Sequence, residues 1–105
     1  MSDITHGSSN VFADLGLPDA GERQTKTRLA MAIAEIVQAR KLKQVDVASL
    51  LDIPQPKVSA LINYRLDGFS VERLMHFLTA LDQDIEIMIR PRSHDAGSIS
   101  VHMVR

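Results

Sequence analysis

The polar residues of this 105-residue chain that could do chemistry do not assemble into a reaction centre. There is no cysteine, which removes disulfides, thiolate metal sites and a cysteine nucleophile together. The four histidines, His6, His76, His94 and His102, are too scattered for the paired spacing of a helical zinc site. No nucleophile with a base, no metal constellation and no phosphate loop can be built, so neither enzymatic activity nor a cofactor is expected. What remains is a gathering of cations and amides between positions 40 and 65, namely Arg40, Lys41, Lys43, Gln44, Gln55, Lys57, Asn63 and Arg65, whose chemistry is hydrogen bonding and charge attraction. The formal charge of -1 taken alone argues against a nucleic-acid partner. Resolved along the chain, however, residues 23 to 65 carry eight basic and three acidic side chains, a net +5. Residues 1 to 22 hold -4 and residues 66 to 105 hold -2, so near-neutrality hides a basic middle.

The elements that position this middle follow from composition and period. At 45% hydrophobic and 24% charged residues, the chain is expected to form one soluble globular domain. It lacks the roughly 18 apolar residues of a membrane span and begins with no basic start followed by an apolar run, so a cytoplasmic location away from membranes is expected. Residues 1 to 21 mix Gly7, Ser8, Ser9, Asn10, Gly16 and Pro18 with Val11, Phe12, Leu15 and Leu17, which reads as an N-terminal arm. From Glu22 to about Arg40, Leu29, Ala32, Ile33, Ile36 and Val37 recur at three- and four-residue steps, predicting the longest helix. A second helix is predicted from Gln44 to Leu51. A third is predicted from Pro56 to about Tyr64, because each proline disfavours helical geometry in the residue before it and leaves Ile53 and Gln55 extended. Ser70 is a good N-cap for a fourth, amphipathic helix reaching Asp82. The period then changes to two: Ile85, Ile87 and Ile89 alternate with Glu86, Met88 and Arg90 in a predicted strand over 84 to 90, with a second strand possible over 99 to 104.

The spacing Gln44-x3-Ala48-x3-Asp52-x5-Val58-x2-Leu61 gives a small residue where two short helices cross, a turn residue between them, and two apolar anchors on the second helix. This pattern resembles the helix-turn-helix of the Cro and phage-repressor family, also called the XRE family. Residues 9 to 92, through Ser9-Asn10-Val11-Phe12, Pro56-Lys57-Val58-Ser59, Phe69-Ser70-Val71-Glu72-Arg73-Leu74 and a strand ending in Arg90-Pro91, resemble a subgroup of small regulators that includes HigA-like antitoxins. The resemblance implies a mainly α, lambda-repressor-like bundle of four to five helices with a C-terminal strand or hairpin. Its parts would be an arm over 1 to 21, a helix-turn-helix domain over 22 to 83, and a C-terminal strand region over 84 to 105. Two positions depart from the pattern. Asp52 occupies a turn position where the family prefers glycine, and Tyr64 another, which predicts either that the third helix runs on or that the ring packs against the loop.

What the resemblance implies for function is double-stranded DNA as a partner, with the third helix in the major groove. Gln44, with Lys43 before it, would meet a phosphate, and Gln55, beside Pro56, would stand at the tip of the third helix, where its amide matches adenine N6 and N7. Lys57 and Ser59 would lie on the outward side, and Asn63 and Arg65 would clamp the backbone. Specific regulators of this size bind as two-fold dimers. Here Ile85, Ile87 and Ile89 would be buried between two copies, because one such strand is not stable alone. The expectation is an autoregulatory repressor on a palindromic operator, doubling as the antitoxin of a small RelE-like toxin. The alternative is a protein-interaction module that neutralises a toxin without appreciable DNA binding.

Overall fold

The computed structural model describes residues 19–91 and 97–104. Among the described residues four helices follow one another: α1 (Asp19–Ala39), α2 (Gln44–Leu51), α3 (Gln55–Ile62) and α4 (Val71–Ala80). The apolar stripe of α1 is buried at Leu29, Ala32, Ile33, Ile36 and Val37, as its period predicts, and Thr25 joins that face by donating its hydroxyl to the Gly21 carbonyl at 3.0 Å. Helix α1 begins three residues before the predicted Glu22, so the last positions of the expected arm are already helical. Residues 1–18 of that arm lie outside the described residues. Helix α4 starts where Ser70 accepts a hydrogen bond from the Arg73 amide at 3.0 Å, with Glu72 placed favourably in its first turn.

Neither α2 nor α3, at eight residues each, is long enough to persist alone in water. They are held by a shared core. Ile33 from α1, Val47 from α2, Val58 and Leu61 from α3, Leu74 from α4 and Leu81 just beyond it are the largest fully buried side chains. Helices α2 and α3 pack on each other, and α1 packs chiefly against α4. A further tie is made by Arg40, whose Nη2 donates to the Leu81 carbonyl at 2.7 Å while Nη1 lies 3.6 Å from Asp82. The guanidinium thus bolts the end of α1 to the end of α4.

All four helices stop in the same way. Lys41, Asp52, Tyr64 and Asp82 have φ of 56°, 57°, 59° and 66°, and each is followed by a residue whose amide bonds the carbonyl five positions back. These bonds run from Leu42 to Val37, Ile53 to Ala48, Arg65 to Ala60 and Gln83 to Leu78, at 2.9 to 3.1 Å. The arrangement satisfies the last carbonyls of each helix, and a left-handed residue after the helix end is its requirement. Glycine fills none of the four positions. The prediction that α3 runs on to Tyr64 is therefore corrected: the helix ends at Ile62, and Tyr64 itself takes the left-handed conformation.

No strand is present among the described residues, so the expected strand over 84 to 90 and the possible one over 99 to 104 are not seen in the single chain. A strand exists by pairing, and the single chain offers this segment no ladder. Ile85 and Val101 are half-buried against the helical core, whereas Ile87 and Ile89 stand in solvent. Among the described residues no helix is long and apolar enough to cross a membrane.

Three substitutions probe these ties in urea unfolding. Leu61→Ala is expected to lower stability by about 3 kcal/mol, through lost burial plus a cavity. Arg40→Met is expected to cost about 1 to 2 kcal/mol, since the Leu81 carbonyl loses a charged donor that is itself partly solvated. Lys41→Gly is expected to raise stability by about 0.5 to 1 kcal/mol, because relief of the left-handed strain outweighs the added freedom of the unfolded chain. An unchanged midpoint for Leu61→Ala or Arg40→Met would contradict the corresponding tie.

Candidate nucleic-acid interface

The sequence between Lys43 and Arg65 builds two helix beginnings and one helix end on a rigid frame. Lys43 is the extended residue before α2, and its own amide donates to the Asp46 carboxylate at 3.1 Å. Gln44 is the first helical residue and is half-buried, with the first-turn amides beside it. Asp52 then turns the chain, its amide donating to the Ala48 carbonyl, and buried Ile53 fixes the turn to the core.

Helix α3 begins one residue earlier than predicted. Pro54, at φ -64° and ψ 150°, is the extended cap, and Gln55 is already helical ahead of Pro56. The bias against helical geometry before a proline is overridden here, since Pro56 sits in the first turn, where a missing amide costs no ladder bond. Gln55 and Pro56 are both exposed. On the inner face, Val58 and Leu61 hold the helix to the core.

The remaining expected site residues divide by what already engages them. Lys57 does not point outward as predicted. It is half-buried, its Nζ lies 5.2 Å from the centre of the Phe69 ring, and the loop passes close enough that a Cβ on Gly68 would meet that Nζ at 3.2 Å. A cation over an aromatic face gains roughly 0.5 to 1 kcal/mol near a surface. Asn63 uses its amide to cap α3, donating to the Ser59 carbonyl at 2.8 Å, with the Ser59 hydroxyl 3.5 Å away. Arg65 and Lys43 are exposed. Arg40, one of the cations gathered just before the motif for charge attraction, is held by Leu81 and Asp82.

Two features had no sequence signal of their own. Phe69 meets Phe77 edge to face at 5.9 Å, and Arg73 lies 5.6 Å over Phe77, so Lys57, Phe69, Phe77 and Arg73 form one continuous stack fastening the α3–α4 loop. At the far end of α3, Tyr64 and Asp67 line a shallow cleft with Arg23, Lys26 and Thr27 of α1. Lys26 there is paired with Glu22 at 3.5 Å, so the cleft carries mixed charge. Both depend on positions far apart in the chain, which local spacing does not connect. No group of His, Asp and Glu suited to holding a metal ion is present among the described residues.

Two short helices joined by a left-handed turn, with an exposed polar tip on the second, can be set beside known proteins. The helix-turn-helix domain family matches residues 11–90. A solved structure named "Putative XRE Family Transcriptional Regulator" is 58% identical, with a TM-score of 0.79, over 83% of this chain and 100% of that one. No curated protein matches. With a family match over most of its length and a relative of that identity, the chain belongs to the helix-turn-helix family of XRE type.

Proposed function

We infer that the protein is a DNA-binding transcriptional repressor that places α3 in the major groove of a palindromic operator, one copy of the chain on each half-site. The observation that carries this reading is the exposed start of α3: Gln55 and Pro56 project from a helix whose inner face is locked by Val58 and Leu61, directly after the turn at Asp52. A reading side chain needs such rigidity, because a misplaced hydrogen bond to a base edge discriminates nothing. In this assignment Gln55 pairs with adenine N6 and N7. Lys43 and Gln44 at the start of α2 take a phosphate, helped by the first-turn amides, and Arg65 clamps the backbone at the other end of α3. Lys57 reaches a guanine or a phosphate only by leaving the Phe69 ring, and Ser59 and Asn63 only by loosening their mutual contacts, so these three contribute less than Gln55.

In this reading the arm precedes α1, which starts at Asp19 and not at Glu22, the reading domain runs to residue 83 and the dimerising region covers 84 to 105. Ile85, Ile87 and Ile89 supply the apolar face between two copies. The likeness of residues 9 to 92 to HigA-like antitoxins adds a second role, autoregulation coupled to neutralising a small RelE-like toxin in the cytoplasm.

A gel shift on the DNA upstream of the protein's own reading frame, run over a salt series, tests the assignment. Gln55→Ala is expected to cost about 1 to 3 kcal/mol and to relax base preference at one position of each half-site. Lys43→Ala is expected to weaken all sequences alike and to lower the salt slope by about 1. If both variants bind like the wild type, α3 is not the reading element. A stable toxin complex with no salt-sensitive DNA affinity would instead favour a pure interaction module.

A further inference from the structure

Within the single chain, Ile87, Met88 and Ile89 are 71%, 78% and 76% exposed, three large apolar side chains in a row. Such a run is costly to leave in water and is the kind of surface that binding covers. Arg90 Nη1 lies 3.9 Å from Met88 Sδ, which sets these two side chains on one side, as a period of two requires. A thioether is a weak acceptor for a guanidinium. Asp84, at the other end of the segment, has no ion-pair partner among the described residues.

We propose that residues 84 to 90 of two copies pair as an antiparallel two-stranded ribbon whose two-fold axis passes through Ile87, with Asp84 of each copy opposite the partner's Arg90. This rests on the dimeric reading above and adds its register. Residues directly opposite in an antiparallel pair share a face, so the axis must fall on a residue and not between two; otherwise isoleucines would oppose charges. An axis at Glu86 sets two carboxylates against each other. One at Met88 sets Ile85 opposite Pro91, which has no amide to donate. The axis at Ile87 alone brings Ile85 against the partner's Ile89, Ile87 against its own copy, and both Asp84–Arg90 pairs together on the polar face. Arg90 thereby exchanges a thioether for a carboxylate.

Charge exchange tests the register, read by sedimentation and by native mass spectrometry of mixtures. D84R places two like-charged arginine pairs across the ribbon and R90D two like-charged aspartate pairs, so each homodimer is expected to weaken by roughly tenfold. Mixed in equal amounts, the two variants are expected to form a heterodimer of wild-type affinity, because every cross-strand pair is again opposite in sign. The chain has no cysteine of its own, so single-cysteine variants report distance directly. I87C is expected to cross-link on oxidation several-fold faster than M88C, whose copies sit diagonally, beyond disulfide reach. All four positions are exposed in the single chain, which leaves the helical core untouched. A wild-type dimer with unaffected single variants, no preference for the heterodimer, or faster M88C linkage overturns the register and leaves the dimer standing. A wild-type monomer at micromolar concentration overturns both.

Discussion

Everything in this molecule depends on burying Val47, Val58 and Leu61 in one core with Ile33 and Leu74. The two helices that carry the motif have eight residues each, and helices so short are not stable on propensity alone. Their existence is a tertiary fact, and so is their mutual angle. Because the inner faces are fixed by packing, the outer positions are fixed as well: Lys43 and Gln44 start one helix, and Gln55 and Pro56 start the next. A side chain that is to distinguish one base edge from another must begin from a defined place, and the core supplies it.

The second constraint is how the helices end. Four left-handed residues without glycine mean that each reversal of the chain is held against a local preference by a backbone hydrogen bond and by the packing that follows. At Asp52 the penalty is mild, since a short polar side chain tolerates the conformation. At Tyr64 and Lys41 it is larger, so these turns rely on the core. The Arg40 bridge to Leu81 and the Lys57–Phe69–Phe77–Arg73 stack act in the same sense, each tying a loop or helix end to an element distant in sequence.

The stripes of α1 and α4, the cap at Ser70 and the spacing from Gln44 to Leu61 were legible in the sequence because they obey one local period or one cap rule. What was not legible is tertiary. Nothing in the neighbourhood of Lys57 shows that Phe69 lies under its ammonium, and nothing near Arg40 shows that the Leu81 carbonyl is within its reach. Gln55 is helical where an extended residue is expected, because the rule for residues before proline is a bias that the first turn of a helix can override. Of the two expectations for Tyr64, the longer helix fails, because the exit is set by the bond from Arg65 to Ala60 more than by the residue at the turn. The period-two run from Asp84 to Arg90 was legible as a pattern, yet a pattern forms a strand only where a partner completes the ladder.

Net charge shows the same distinction between average and arrangement. The whole chain is close to neutral, while the segment holding α2 and α3 lies within a stretch of net +5. Non-specific attraction to DNA is then modest, and under the function proposed above useful affinity comes from two half-sites engaged together. Hydroxyl-radical footprinting of the wild-type protein on its own upstream DNA tests this most directly. A dimer on a palindromic operator gives two protected patches related by a two-fold axis, on one face of the duplex, with centres about 34 Å or one helical turn apart. A single unpaired patch, or no protection under low-salt conditions, would contradict it.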